Sequence, residues 1–257
     1  MPTWSAGQYL KFASERTRAA EELLARVPLA EARAVVDAGC GPGNSTELLV
    51  QRFPSAAVSG FDTSAEMLDA ARQRLPGLRF IEADVAGWRP PAGTDLVFSN
   101  AVMQWVSGHL AILARILGGL EAGGVLAVQI PDNKSELNHV LMRETAMDVG
   151  RPDLVDAAEA QRDRVHPAEA YYGRLAPLAR SVDIWRTTYL HVLDGHEAVV
   201  EWLKGSGLRP YLEPLDSAEQ EGFLAAYRAR IATAYPLQAD GKVLLRFPRL
   251  FMVAVRR

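Results

Sequence analysis

Residues 35–49, "VVDAGCGPGNSTELL", decide the fold. A short apolar burst runs into three glycines at alternate positions, Gly39, Gly41 and Gly43, and then into an amphipathic pattern. A strand that turns through a glycine loop straight into a helix is the opening unit of a doubly wound α/β sheet. Lacking Cβ atoms, such a loop lets a flat or extended ligand lie against its backbone at the carboxyl edge of the sheet. Three alternating glycines exceed what one tight turn requires.

Working outward, apolar runs alternate with helical patterns: AVVDAG, a helix from Asn44, AVSGFD, a helix from Ser64, LRFIEAD, DLVFSNA, a helix over 109–120 and GGVLAVQI. The alternation predicts right-handed βαβ crossovers and a parallel sheet. Asn44 and Thr63 each stand three residues before a glutamate, Glu47 and Glu66, which is a capping-box signature. Upstream, residues 8–27 place Tyr9, Phe12, Ala13, Ala20, Leu23, Leu24 and Val27 at helical spacing and predict a docking helix. Downstream, 134–180 reads as helix and loop, 181–193 as a strand, 196–236 as helix again and 242–255 as a closing strand. The reading is one domain over 1–257, with a ligand-binding core at about 30–131 and a helical cap from 134–180 and 196–236.

Composition removes several classes of function. The 257 residues are 49% hydrophobic with a net charge of −3 and no dense Lys/Arg run, so no face is built for a phosphate backbone and nucleic acid is not an expected partner. The single cysteine, Cys40, excludes an internal disulfide and a multi-cysteine metal site, and no metal is expected. Inside the glycine loop it reads as a small residue filling a tight space, because no histidine stands near it in sequence to make it a nucleophile. No apolar run reaches the roughly 18 residues of a membrane span and the N-terminus has no signal-peptide pattern, which predicts a cytoplasmic protein without a membrane partner.

Three strand ends describe the ligand. The loop is GxGxG with Asn44 where a dinucleotide fingerprint places its third glycine, and neither a Tyr-x-x-x-Lys pair nor a GxxxxGK[ST] run occurs. Asp62 closes the second apolar run, where a carboxylate can accept both hydroxyls of a ribose. Asp84 closes the third, where it can accept an exocyclic amino group of adenine. Adjacent strand ends lie side by side, so the three together outline an adenosine-shaped slot without a phosphate clamp.

The ordered set VVDAGCGPGNS, GFDTSAEML, FIEADV and FSNAVMQWV resembles the class I S-adenosylmethionine-dependent methyltransferases over residues 33–131. That resemblance implies a Rossmann-like, mostly parallel seven-stranded sheet with an antiparallel last strand and helical lid insertions. It implies S-adenosyl-L-methionine as cofactor and S-adenosyl-L-homocysteine as product. Carried over, Asp37, Gly39 and Gly41, with Cys40 and Asn44 in the same loop, would line the methionine and sugar side. Asp62 would take the ribose, Thr63 or Met67 the adenine face, Asp84 and Val85 the adenine edge, and Asn100 and Ala101 the methionyl moiety.

The fourth motif reads Ser99-Asn100-Ala101-Val102 and lacks the Asn-Pro-Pro-Tyr clamp used on DNA bases or glutamine amides, which leaves small-molecule substrates. WSAGQYLKFASERTRAAEELLARVPL, VLAVQIPDN, HVLMRE, VDIWRTTY, GLRPYL and FPRLF are similar to the trans-aconitate 2-methyltransferase family over nearly the whole chain. The resemblance implies a small tricarboxylic acid as substrate, esterified at one carboxylate. Charge partition agrees: residues 201–257 hold nine Lys/Arg against six Asp/Glu, +3, and residues 1–200 hold 19 against 25, −6. Arg209, Arg246 and Arg249, beside prolines and aromatics, are candidates for bidentate carboxylate binding. Trp4, Tyr9, Trp105, Tyr171 and Tyr172 are candidate walls of the pocket, and His139 and His166 candidate acid/base groups, each equally readable as structural. Two other readings stand beside this one, methylation of an amine or phenol and a catalytically silent adenosine-binding module. The expected assembly is a monomer or small homo-oligomer.

Overall fold

The computed structural model describes residues 13–161 and 163–257, so Trp4 and Tyr9 lie outside the described residues. The chain divides into two compact units: residues up to 130 with 165–186 and 250–257, and residues 131–164 with 187–249.

The first unit is built on the alternating elements. Helix α1 (Ala13–Ala25) leads to β1 (Ala34–Ala38), α2 (Asn44–Arg52), β2 (Ala57–Asp62), α3 (Ala65–Arg74), β3 (Arg79–Glu82), β4 (Leu96–Asn100), α4 (His109–Gly119) and β5 (Val125–Pro131). Strands β1 to β5 pair in parallel, and β1, β4 and β5 are apolar and buried nearly end to end because helices cover both faces. The sheet is completed by β6 (Ala179–Leu193) and β7 (Val243–Arg256), in the order β3-β2-β1-β4-β5-β7-β6. Strand β7 runs antiparallel to β5: Arg256 N donates to Gly124 O at 2.8 Å and Gly123 N donates to Arg256 O at 3.0 Å. The expected doubly wound, mostly parallel seven-stranded sheet is therefore the observed one. Its order reverses between β1 and β4, and the carboxyl ends of those two strands bound the crevice in which ligands of such sheets bind.

Residues 165–186 return to this unit. Helix α7 (Ala168–Leu175) packs on α4, with the Tyr171 hydroxyl 2.7 Å from His109 Nε2 and the two rings stacked at 5.7 Å. Helix α1 is fixed to β6 by Trp185, whose Nε1 donates to Glu22 at 2.9 Å and whose ring lies 4.2 Å under the Arg26 guanidinium.

The second unit is mainly helical: α5 (Leu137–Asp148), α6 (Asp153–Gln161), α8 (Gly195–Lys204), α9 (Arg209–Leu212) and α10 (Ser217–Ala234), with the adjoining stretches of β6 and β7. Tyr227 and Trp202 are fully buried in it, and the Tyr227 hydroxyl donates to Asn138 O at 2.9 Å. The helical cap expected over 134–180 thus ends at 164 in this unit, and α7 belongs with the sheet.

Both expected capping boxes are corrected. Helix α2 is entered through Gly43 at φ 88°, so Asn44 is its first helical residue and caps nothing. Helix α3 is capped by Ser64, whose hydroxyl accepts from Met67 N, and not by Thr63. A capping box does form at α10, between Asp216 and Glu219. Among the described residues no helix is long and apolar enough to cross a membrane.

Candidate functional site

The loop after β1 is held by its neighbour strand, since Gly39 N and Cys40 N both donate to Phe61 O at 2.8 and 2.9 Å. Two of its glycines are required for different reasons. At Gly39, φ 75°, an added Cβ would meet Val102 Cγ2 at 2.3 Å, so here the β4 side of the crevice closes on the β1 side. At Gly41, φ 53°, an added Cβ would meet nothing within 4 Å; this is the glycine that faces open space. Cys40 turns the other way and packs with Leu68, Ala71 and Phe80 over Gly60, where a Cβ would meet it at 2.8 Å. Its side chain is thereby buried within that cluster, and burial pushes its thiol pKa up, so it is no nucleophile.

Asp37 is fully buried at the end of β1. Its Oδ2 accepts from Ser45 Oγ and Thr46 Oγ1, both at 2.7 Å, whereas Oδ1 is buried without a hydrogen-bond partner. Burial pushes its pKa up to about 6, against the two hydroxyls that favour the anion and with the Asp62 charge adding to the rise. Asp37 is thus a desolvated carboxylate with one oxygen unpaired among the described residues. Asp62, half-buried at the end of β2, accepts from Gly41 N through Oδ2 and from Ser64 N through Oδ1, both at 3.0 Å. It pins the open glycine and keeps a second lone pair on each oxygen.

Asp84, exposed after β3, accepts from Ala86 N through Oδ1 at 2.8 Å, and Val85 beside it is buried. Met67 is buried and Thr63 exposed on the turn into α3; Asn44 is bonded to Arg74. At the end of β4, Asn100 Oδ1 is buried without a partner, and Ala101 sits at φ 59°, the one non-glycine among the described residues at positive φ. Sequence therefore placed Asp37, Gly39, Gly41, Asp62, Asn100 and Ala101 around one crevice. It missed Ser45 and Thr46, which hold Asp37; hydroxyls in the first turn after a glycine loop are the signal that marks them.

The substrate candidates separate. Tyr171 is fully buried with its hydroxyl on His109, so it is a packing residue and not a pocket wall; Tyr172 is 55% exposed and Trp105 partly buried. His166 lies beside His109 and Tyr171 in the first unit, and His139 is buried in α5 against Gly207. All three arginines belong to the second unit. Arg209 donates to Glu213 at 2.6 Å, and Arg246, with 61% of its side chain exposed, donates to Glu136 at 3.2 Å. Arg249 is only 3% exposed, its guanidinium 4.8 Å from the Phe247 ring centre and 5.8 Å from that of Tyr189. Among the described residues there is no cluster of metal-ligating side chains.

Residues 35–124 match a family model described as a methyltransferase domain. Over 257 residues, all of both chains, the protein is 59% identical to a trans-aconitate 2-methyltransferase from Rhodopseudomonas palustris strain BisB18. Among solved structures it is similar in fold to the YcgJ protein of Bacillus subtilis, with TM-score 0.60, 12% identity and 93% and 98% of the two chains covered. It is likewise similar to the Haemonchus contortus phosphoethanolamine N-methyltransferase 2 bound to phosphomonomethylethanolamine and S-adenosylhomocysteine, with TM-score 0.55, 15% identity, and 93% of this chain and 53% of that one covered.

Proposed function

This chain belongs to the trans-aconitate 2-methyltransferase family, and from that premise we propose that it forms a methyl monoester at one carboxylate of a small tricarboxylic acid such as trans-aconitate, using S-adenosyl-L-methionine. The observation that carries the reading is the unbroken full-length kinship, which includes the segments outside the cofactor loops where substrate identity is written.

The crevice fits the cofactor. Asp37 Oδ1 and Asn100 Oδ1 are buried acceptors without donors, Gly41 leaves its Cβ position open, and Asp62 has capacity left for a vicinal diol. Asp37 and Asn100 would hold the ammonium of the amino-acid end, Asp62 the ribose and Asp84 with Val85 the adenine. When bound, the cofactor supplies a methyl carbon made electrophilic by its sulfonium charge. Asp62→Ala should weaken cofactor binding by about 1.5–3 kcal/mol, the range for losing hydrogen bonds to a charged acceptor. Calorimetry that finds unchanged affinity in the folded variant removes Asp62 from the site.

A carboxylic acid with pKa near 4–5 is already an anion at neutral pH, so the protein has no proton to remove. Three of its buried tyrosines stay protonated at neutral pH: burial pushes Tyr211 and Tyr235 up to about 12 and raises Tyr227 well above its ordinary value. The chain's work is to aim the acid and exclude water. With cofactor saturating, kcat should be flat between pH 7 and 9; a limb that follows one ionisation there, abolished by His139→Ala, would establish a general base.

The same reading assigns the buried Arg249, and not the largely exposed Arg246, to a carboxylate that keeps its charge through the reaction. A grip on the reacting carboxylate would be lost as its charge disappears, and would stabilise the ground state. The partner is a small acid, in a cytoplasmic setting, with neither nucleic acid nor membrane; the net charge of −3 supports this. The deciding assay is transfer of labelled methyl from S-adenosylmethionine to a panel of small acids, amines and phenols. Label on an amine or phenol and none on any carboxylate would overturn the assignment, as would binding without turnover.

A further inference from the structure

We propose that Gln104 is a positioning residue for the cofactor: its side-chain amide latches Ala101 in the left-handed conformation that fits the β4 side of the crevice to the β1 glycine loop. The proposal rests on the reading of the crevice as the cofactor site. Ala101 at φ 59° is strained, because a Cβ in the left-handed region crowds the following carbonyl. Two hydrogen bonds hold it there. Its N–H donates to Gln129 O at 3.0 Å, and its carbonyl accepts from Gln104 Nε2 at 2.6 Å.

The consequences lie on either side of Ala101. Before it stands Asn100, whose buried Oδ1 has no partner among the described residues. After it stands Val102, whose Cγ2 occupies the space that a Cβ on Gly39 would take, 2.3 Å from that position. A relaxed Ala101 would turn its neighbours away from both arrangements, so the strain is spent on facing the crevice. Gln104 itself is nearly fully buried in the single turn Met103–Trp105; its Nε2 donates to the Ala101 carbonyl and its Oε1 is buried without a partner among the described residues, and the role assigned to it is positioning through that carbonyl.

The test exploits glycine, which enters the left-handed region without the Cβ penalty. Gln104→Met keeps length and burial but cannot donate. It should raise the cofactor Kd by roughly tenfold, the equivalent of about 1.4 kcal/mol, and should leave kcat at saturating cofactor within about twofold of the parent. Ala101→Gly alone, which removes the Cβ penalty, supplies the reference Kd for the double variant. Combined with Gln104→Met, it should restore most of the lost affinity, because the latch is then no longer needed. Unchanged Kd in Gln104→Met overturns the proposal. So does a double variant as weak as Gln104→Met, which would make Gln104 a general packing residue. If Gln104→Met unfolds, recovery of fold and Kd together in the double variant is the supporting result and failure to recover either is the refuting one. Failure of the parent protein to bind S-adenosylmethionine would instead refute the cofactor reading on which the latch depends.

Discussion

Asp37→Asn should abolish most cofactor binding while leaving the ligand-free protein at least as stable as the parent at neutral pH. The loss in affinity should be about 2–5 kcal/mol, the cost of removing one partner of a buried charge pair. The stability side follows from linkage. The folded-state pKa of Asp37, about 6, is raised above its unfolded value of 3.8, mainly by burial. Its contribution is therefore fully present below pH 3.8 and is lost as pH rises through about 6, which by pH 7 amounts to a penalty on the order of 3 kcal/mol for keeping the ionised group inside. An asparagine escapes that penalty and still accepts from Ser45 and Thr46, although its amide nitrogen inherits the position of the unpartnered oxygen. In the parent, cofactor affinity should fall about tenfold per pH unit below pH 6, as protonation removes the charge the cation needs. Calorimetry across pH 5–8, with melting curves for both proteins, checks both halves. A pH-independent Kd in the parent, or an Asp37→Asn protein that binds normally, would refute the role.

The second large effect is expected at Arg249. Removing its guanidinium with Arg249→Met, which retains apolar contact with Phe247 and Tyr189, should lower kcat/KM for a tricarboxylate by about 2–4 kcal/mol, almost entirely through KM, and leave cofactor Kd unchanged. Arg246→Ala should cost under about 1 kcal/mol, because its side chain is largely exposed and screened. Arg249→Lys should not rescue, since a point charge cannot reproduce a planar fork stacked on rings. Steady-state kinetics on tri-, di- and monocarboxylates give the ranking. Wild-type KM in Arg249→Met would make this buried arginine a structural residue of the second unit.

The frame of the first unit was legible because parallel strands covered on both faces must be written as apolar bursts, and because glycines at a close backbone approach admit no substitute. Asp37, Asp62 and Asn100 were nominated for the same reason: each closes such a burst, and strand geometry brings burst ends together. Other features depended on where the chain turns in space. Whether Asn44 or Gly43 starts a helix, and whether Thr63 or Ser64 caps one, is settled by a single residue's φ and ψ, which periodicity does not carry. Gln104 was hidden because MQW reads as one more amphipathic stretch, and only a carbonyl three residues earlier shows its use. The three arginines looked alike in sequence; burial, set by distant aromatic residues, tells Arg249 from Arg246.

The order of the sheet also bears on how the protein is made. Strand β7 lies between β5 and β6, yet residues 250–256 are synthesised 64 to 70 residues after the first unit's share of β6, which ends at 186. Until they emerge, β5 presents an unpaired edge, and β6 lacks its one neighbour in the sheet among the described residues. Open strand edges on a nascent chain are templates for pairing with the wrong partner. Expression, more than the folded molecule, is therefore where this topology carries its risk: a stop codon shortly before residue 250 should yield an aggregating product instead of a slightly weakened enzyme.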